Sequence, residues 1–382
     1  MDFAWTDEQL AYRDEVIRFA QNELNDDLVA NDESGTFPAD AWKKCAAFGI
    51  QGLPVPEAYG GSGADPLTIM LAMEAFGYGC RDNGLIFSIN AHMWSCEIPI
   101  IRFGRDSQKR KYLPGLSDGS MIGVQAMSEP GAGSDALGSM QTTVREHARG
   151  YLLNGAKTFI TNAPVADVFV VFATADRSKG FSAASAFLVD RDAPGLSVGR
   201  PFRKMGLRTS PMSEVHLDGC LVPETALLGP VGAGLSIFNH SMDWERSCIL
   251  AAAVGTMERQ LERSVAYARQ RKQFGKPIGK FQAVSHRLVD MKVRLESARL
   301  LLYRLGWLKS RGKTSPMESA LVKLHISECF VQSSLDSLQT HGGYGYMTEE
   351  ELERDLRDAI GGRIYSGTSD IQRNIIAGYM GL

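Results

Sequence analysis

The chain has 382 residues, 44% hydrophobic and 22% charged, so it can bury a large core and divide into two or three packed units. A formal net charge of −3 argues against a nucleic-acid partner, which would need a broad basic face, although Arg269 to Lys272 form a local basic stretch suited to an anion. Six scattered cysteines without a CxxC pair and 7 histidines without HExxH spacing point to buried, reduced thiols and no metal site.

The first residues, MDFAWTDEQL, have neither a basic start nor a long apolar run. No secretory signal or membrane anchor is expected, and the cytoplasm is the expected location. Thr6 and Gln9 stand at capping-box spacing before a helical period, and Pro38 to Phe48 suits another helix. PEAYGGSG breaks that pattern. From about Met121 to Leu228 the character changes to short β-rich runs, VFVVFAT, SAFLVD and EVHLDGCLVP, divided by Gly, Pro and Asp. Asn154-Gly155 between apolar residues predicts a two-residue hairpin turn, since both positions of a type I′ turn need positive φ. From Gly234 onward the helical period returns in long segments, broken at GKPIG, SRGKTSP and HGGYG.

The chain therefore reads as an α+β protein with a helical domain over residues 1–118, a small β domain over 119–228 and a helical domain over 229–382. No GxGxxG lies between a strand and a helix, so a dinucleotide cofactor is not expected on a Rossmann unit. Repeats and low-complexity segments are absent, and the three parts are expected to pack as one body.

Within HSMDWERSCILAAAVG, residues Phe238, Met242, Glu245 and Ile249 follow at helical spacing and share one face. Glu245 thus stands in an apolar stripe, with no cation three or four residues away to pair with it. Burial would disfavour its charged form and raise its pKa, as a proton-abstracting base requires. The competing reading is an ion pair across the core with an arginine of another helix. Asp243 and Arg246, three apart on a different face, read as a surface pair.

Six blocks in order then carry a resemblance over nearly the whole chain: SEPGAGSD (Ser128 to Asp135), KTFITNAP (Lys157 to Pro164), KMGLRTSP (Lys204 to Pro211), RKQFGKPIGKFQ (Arg271 to Gln282), QTHGGYGY (Gln339 to Tyr346) and YSGTSDIQR (Tyr365 to Arg373). Together they resemble the acyl-CoA dehydrogenase family. That resemblance implies an N-terminal helical domain, a central β domain, a C-terminal four-helix bundle, FAD as cofactor and oxidation of the α,β bond of an acyl thioester. It gives Ser128 a place facing the flavin ring, Ser134 a place at the pyrophosphate and Thr161 a hydrogen bond to flavin N5. Phe159 stands where many relatives have Trp. Arg271, Phe274, Gln282, Gln339 and Gly343 match residues with which one subunit holds its neighbour's FAD, implying a homo-oligomer, most often a tetramer. Thr368 and Asp370 match positions near the adenosine, although many relatives carry Gln or Glu at the latter.

The base departs from the commoner pattern of the family. Its usual place, immediately before GT in YEGT, is Ser366 here, and serine cannot serve as that base. A smaller group, including isovaleryl-CoA dehydrogenases, carries the glutamate on the helix at the position of Glu245. The resemblance then implies that Glu245 takes the α proton, while the backbone N–H of Ser366 and a ribityl hydroxyl of FAD receive the thioester oxygen. On that reading Ser366 acts through its backbone, and its small side chain leaves room for a branched or cyclic acyl group.

Two substrate classes fit: a short branched acyl-CoA, or L-proline on a peptidyl carrier protein, oxidised toward a pyrrole. The NAHMWSCEIPI run leans to the second. Both carriers present the same phosphopantetheine arm, with Asp243 and Arg246 among the residues at the entrance. Electron-transferring flavoprotein or O2 is the implied electron acceptor. An inactive flavin-binding scaffold is the reading of a different class.

Overall fold

A computed structural model describes residues 5–136, 138–313 and 316–382, with the side chains of 180–182 excepted. The first four residues of MDFAWTDEQL, and Thr314 and Ser315 of the SRGKTSP break, lie outside the described residues.

The chain enters α1 (Asp7–Glu23) through the expected capping box: the Thr6 hydroxyl accepts the Gln9 N–H, and the Gln9 side chain accepts the Thr6 N–H, each at 3.2 Å. Then come α2 (Leu28–Ser34) and α3 (Ala39–Phe48), which starts after Pro38 and stops at Gly49 with φ +97°. Asp65 caps α4 (Pro66–Gly79) and Asp82 caps α5 (Asn83–His92). One turn of π-helix, Met93–Glu97, runs from α5 into α6 (Ile98–Phe103), and α7 (Asp106–Ser117) closes the first helical region.

The β region contains β1 (Gly123–Ala126), β2 (Thr143–His147), β3 (Gly150–Thr161), β4 (Val168–Thr174), β5 (Ala184–Asp190), β6 (Leu196–Val198), β7 (Met212–Val222) and β8 (Leu227–Leu228). They form one sheet in the order β6-β7-β3-β2-β4-β5-β8, with β1 parallel to β4. Every residue of β4 is buried. Its alternate residues serve two cores, Val168, Val170 and Phe172 one, Phe169, Val171 and Ala173 the other.

The hairpin expected at Asn154-Gly155 is not there. Both residues lie inside β3, at a register shift against β7, and the turn joining β2 to β3 falls instead between His147 and Gly150. Gly155 is needed for close approach, because a Cβ there would stand 2.7 Å from the Thr142 Cα. Asn154 turns its side-chain oxygen to the Gly219 N–H at 2.8 Å.

The second helical region contains α8 (Gly234–Cys248) and α9 (Ala251–Gln270). A two-stranded hairpin, β9 (Lys272–Gln273) and β10 (Lys276–Pro277), leads to α10 (Gln282–Ser310), α11 (Pro316–His341), α12 (Leu352–Gly361) and α13 (Ser369–Tyr379). The helices α9, α10 and α11 pack on one another, and α8, α12 and α13 lie on α11.

The two helical regions meet where α4 crosses α9. A Cβ on Gly77 would stand 1.9 Å from the Ala252 carbonyl oxygen, and one on Gly255 2.0 Å from that of Glu74. Glycine is unfavourable inside a helix by about 1 kcal/mol, so here it serves the close contact of two backbones. Gly255→Ala is expected to lower Tm with a net loss of about 1–3 kcal/mol, because overpacking outweighs the propensity gain. A thermal melt checks this, and a raised Tm would contradict the crossing.

Candidate active site

The buried face of α8 contains Ile237, Ser241, Met242, Glu245 and Cys248, and Ile249 just beyond its end is buried with them. Phe238 lies at its half-buried margin, edge-on to Phe172 with ring centres 6.0 Å apart. Glu245 is only 8% exposed. One of its carboxylate oxygens accepts the Ser95 hydroxyl at 3.0 Å, and the other accepts the Ser366 hydroxyl. Among the described residues it forms no ion pair, so the arginine partner that the alternative reading required is not found. Burial pushes its pKa up, and the Ser366 and Ser95 hydroxyls, with the positive fields of Arg246 and Lys323, pull partly back.

Ser95 arrives from the π-helical turn Met93–Glu97. The turn is anchored at both ends. His92 Nδ1 accepts the Gly123 N–H at 2.9 Å, which leaves Nε2 to donate to Glu97 and to the Leu116 carbonyl, both at 3.1 Å. On its other side the Ser241 hydroxyl of α8 donates to the Trp94 carbonyl at 3.1 Å.

Ser366 sits in the turn between α12 and α13 with φ +57°, followed by Gly367 at +87°. A non-glycine residue in the left-handed region is strained and needs surroundings that hold it. Arg246 Nε and Gln372 Nε2 donate to the Ser366 carbonyl at 3.2 and 3.1 Å. Gln372 Nε2 and Lys323 Nζ each donate to the Gly367 carbonyl at 2.8 Å. With its carbonyl bound, the Ser366 N–H is left without a partner among the described residues. Ser366 therefore offers two groups, the free amide and the hydroxyl on Glu245, whereas the sequence had suggested only its backbone.

Asp243 and Arg246 do not form the expected surface pair. Asp243 binds Lys309 of α10 and accepts the Ser319 hydroxyl of α11 at 2.6 Å, while Arg246 turns to the Ser366 carbonyl. The two residues belong to one half-buried wall beside Glu245, with Lys309 lying 4.7 Å from the centre of the Trp244 ring.

The residues matched to the flavin fall into separate groups. The Ser128 carbonyl accepts the Thr158 N–H at 2.8 Å, which brings SEPGAGSD alongside the strand that carries Phe159 and Thr161. Beneath this contact Lys157 and Glu129 form a buried ion pair at 2.9 Å, and Glu129 also accepts the N–H groups of Gln141 and Thr142. Burial brings the Lys157 ammonium down to about 8. Phe159 is 65% exposed at φ +57°, its ring near Phe202. Ser134 is exposed in the turn that follows. Thr368 uses its hydroxyl to cap α13 at the Ile371 N–H, and Asp370 is exposed and paired with Arg373 at 3.2 Å.

Arg271 and Gly343 line a groove of about 510 Å³ at the far end of α9 and α11. The Arg271 guanidinium lies 5.8 Å from the centre of the Tyr344 ring, and a Cβ on Gly343 would meet nothing. Phe274, 92% exposed at φ +50°, stands on the adjoining hairpin; Gln282 and Gln339 are exposed. None of Glu245, Ser366, Ser128 or Thr161 lines this groove. The uncovered Phe159 ring, on the strand held against the Ser128 loop, fits a flat aromatic cofactor, and the open arginine groove fits its anionic, nucleotide part. Among the described residues no cluster suits a metal ion, and no helix is long and apolar enough to cross a membrane.

Sequence reasoning missed Ser95, Gln372, Lys309 and Lys323. For Lys323 a signal existed: in ALVKLHIS it stands among buried residues at helical spacing, the same pattern that revealed Glu245.

Two outcomes follow from this geometry. Glu245 has a raised pKa in the fold, so the folded state keeps a proton that the unfolded chain has released, and stability falls as pH rises through the unfolded value. Glu245→Gln is therefore expected to raise Tm near neutral pH by about 2–5 °C and to lose that advantage below the ordinary carboxylate range, as melts across pH will read. Glu129→Ala leaves the Lys157 ammonium buried and unpaired, and is expected to destabilise the fold by about 3–5 kcal/mol and reduce flavin content, measured by denaturation and absorbance.

Comparison with known proteins bears on the whole chain. The profile described as “Acyl-CoA dehydrogenase, N-terminal domain” matches residues 6–120, that of the middle domain 124–220 and that of the C-terminal domain 232–380. The chain is 44% identical over 377 residues to the L-prolyl-(peptidyl-carrier protein) dehydrogenase of Pseudomonas fluorescens, 99% of each being covered. The structure of the prolyl acyl carrier protein oxidase AnaB superposes with a TM-score of 0.98 at 50% identity, over 99% of this chain and 100% of that one. A structure of PigA with FAD and proline gives 0.97 at 44% identity, over the full length of both.

Proposed function

The chain belongs to the acyl-CoA dehydrogenase family, and from that premise we propose that it is an FAD-dependent dehydrogenase of an L-prolyl thioester carried by a peptidyl carrier protein. The observation that carries the chemistry is a buried carboxylate, Glu245, in a site that also holds an unpartnered backbone N–H, that of Ser366. The substrate class is supported by what the relatives are named for, a prolyl group on a carrier protein.

Glu245 takes the α proton. Its raised pKa makes it a stronger base than an exposed glutamate, and the Ser95 and Ser366 hydroxyls orient both of its oxygens. As the proton leaves, negative charge grows on the thioester oxygen, and the Ser366 N–H, already fixed in direction, receives it without reorganisation. FAD, when bound, supplies the acceptor for the β hydrogen, which leaves as hydride. Ser128, Phe159 and Thr161 would hold the flavin end. Ser134 would serve the pyrophosphate, Thr368 and Asp370 the adenosine end, and Arg271, Phe274, Gln282, Gln339 and Gly343 the cofactor of a neighbouring subunit. The active form is on this reading a homo-oligomer, a tetramer, acting in the cytoplasm and oxidising the prolyl ring toward pyrrole. Asp243 and Arg246 flank the phosphopantetheine arm.

Anaerobic bleaching of the bound flavin tests the proposal, comparing L-prolyl carrier protein with isovaleryl-CoA at matched concentration and analysing the product by mass. The prolyl carrier is expected to bleach the flavin, and Glu245→Gln to abolish bleaching while keeping FAD bound. Bleaching by the CoA ester alone would make this a branched-chain acyl-CoA dehydrogenase, and bleaching by neither would overturn the reading.

A further inference from the structure

Of the buried lysines among the described residues, Lys157 and Lys309 are paired with carboxylates and Lys323 is not. Lys323 of α11 is completely buried, with its Nζ 2.8 Å from the Gly367 carbonyl and 5.8 Å from the centre of the Tyr365 ring. Among the described residues no carboxylate lies within ion-pair distance of it. Satisfying the Gly367 carbonyl does not explain a buried ammonium, because Gln372 Nε2 reaches the same oxygen at 2.8 Å. A neutral donor already does that task. What a lysine adds there is charge, together with a second anchor that comes from a different helix.

We propose that Lys323 is a positioning residue for thioester dehydrogenation: from α11 it pins the Gly367 carbonyl, keeps Ser366 left-handed with its N–H turned to the reacting carbonyl, and sets a positive charge within reach of Glu245. The proposal rests on the reading of Glu245 as base and of the Ser366 N–H as the carbonyl donor. The geometry makes the turn a three-anchor device, with Arg246 from α8, Gln372 from α13 and Lys323 from α11 converging on two successive carbonyls. Remove one anchor and the strained φ of Ser366 is held only by the other two.

The charged and titratable groups around Lys323 are Arg246 and Glu245 of α8, Glu328 of its own helix and Tyr365 of the turn. Glu328 is itself engaged by the Ser369 hydroxyl and Arg363. Burial and then Arg246 bring the Lys323 ammonium down to about 7, against the pull of Glu245 and Glu328. Below that pH the ammonium favours the Glu245 anion. Loss of the charge must therefore move the ionisation of Glu245 to higher pH.

The test compares wild-type holoenzyme with Lys323→Met, close in length and uncharged, and with Lys323→Arg. Lys323→Met is expected to slow anaerobic flavin reduction at saturating thioester on the order of 10- to 100-fold, with the half-saturating concentration changed less than about 3-fold. Its rising pH limb is expected to lie at higher pH, and Lys323→Arg to restore the position of the limb. Crystal structures of the variant apoproteins give a readout free of the reaction: in Lys323→Met the Ser366–Gly367 peptide should leave its left-handed geometry. A wild-type rate and pH limb, or an unmoved turn, would overturn the proposal. If Lys323→Met does not fold, Lys323→Gln, which keeps a donor without charge, is expected to hold the turn and still move the pH limb upward, and an unmoved limb would overturn the proposal. If no thioester bleaches the wild type, the functional reading fails, and the geometry of the turn alone decides the role of Lys323.

Discussion

Glu245 is a carboxylate buried without a direct ion pair among the described residues, and the side chains around it are arranged around that constraint. An isolated anion in such surroundings is too costly to persist, and a direct ion pair would make it too weak a base. Glu245 stands between these limits. Two neutral hydroxyls touch it, and two cations act on it from beyond contact distance. Three separate stretches supply these groups: the π-helical turn, α11, and the turn between α12 and α13. The fourth, Arg246, comes from the same helix as Glu245.

Such an arrangement needs its supports fixed relative to one another. The glycine crossing of α4 with α9 sets the two helical regions at a close distance, and β4 ties the sheet to two cores at once. At the other side of the site, the Lys157–Glu129 pair locks the SEPGAGSD loop to the strand bearing Phe159 and Thr161. That pair is a poor way to gain stability, since hydrophobic packing would serve as well, but it fixes where one loop lies against one strand. It recurs in kind at Asp243, where Lys309 and Ser319 draw two bundle helices onto α8.

How much of this could be read from the sequence depends on range. Glu245 was legible because a charged residue in an apolar helical stripe is a local contradiction, and the helix is long enough to make the stripe plain. The capping box at Thr6 is local as well. Asn154-Gly155 misled for the same reason that it attracted attention: the glycine serves a close pass by Thr142, across the strand pairing, which a two-residue motif does not report. The partners of Asp243 and Arg246 come from α10, α11 and the turn before α13, so their spacing of three suggested a pairing that tertiary contacts override. Ser95 was illegible because the π turn around it is buried throughout and shows no face, and its partner Glu245 lies 150 residues away in the chain.

That π turn differs in kind from the other devices of the site. In an α-helix each residue advances the direction of its side chain by about 100°, so one additional residue in a turn offsets everything before it from everything after it. The direction in which Ser95 points thus depends on the length of the segment as well as on its side chain. His92 ties the start of the turn to Gly123 and its end through Glu97, and Ser241 holds Trp94 inside it. Loss of one residue from the turn would rotate a different side chain toward Glu245 in a single event.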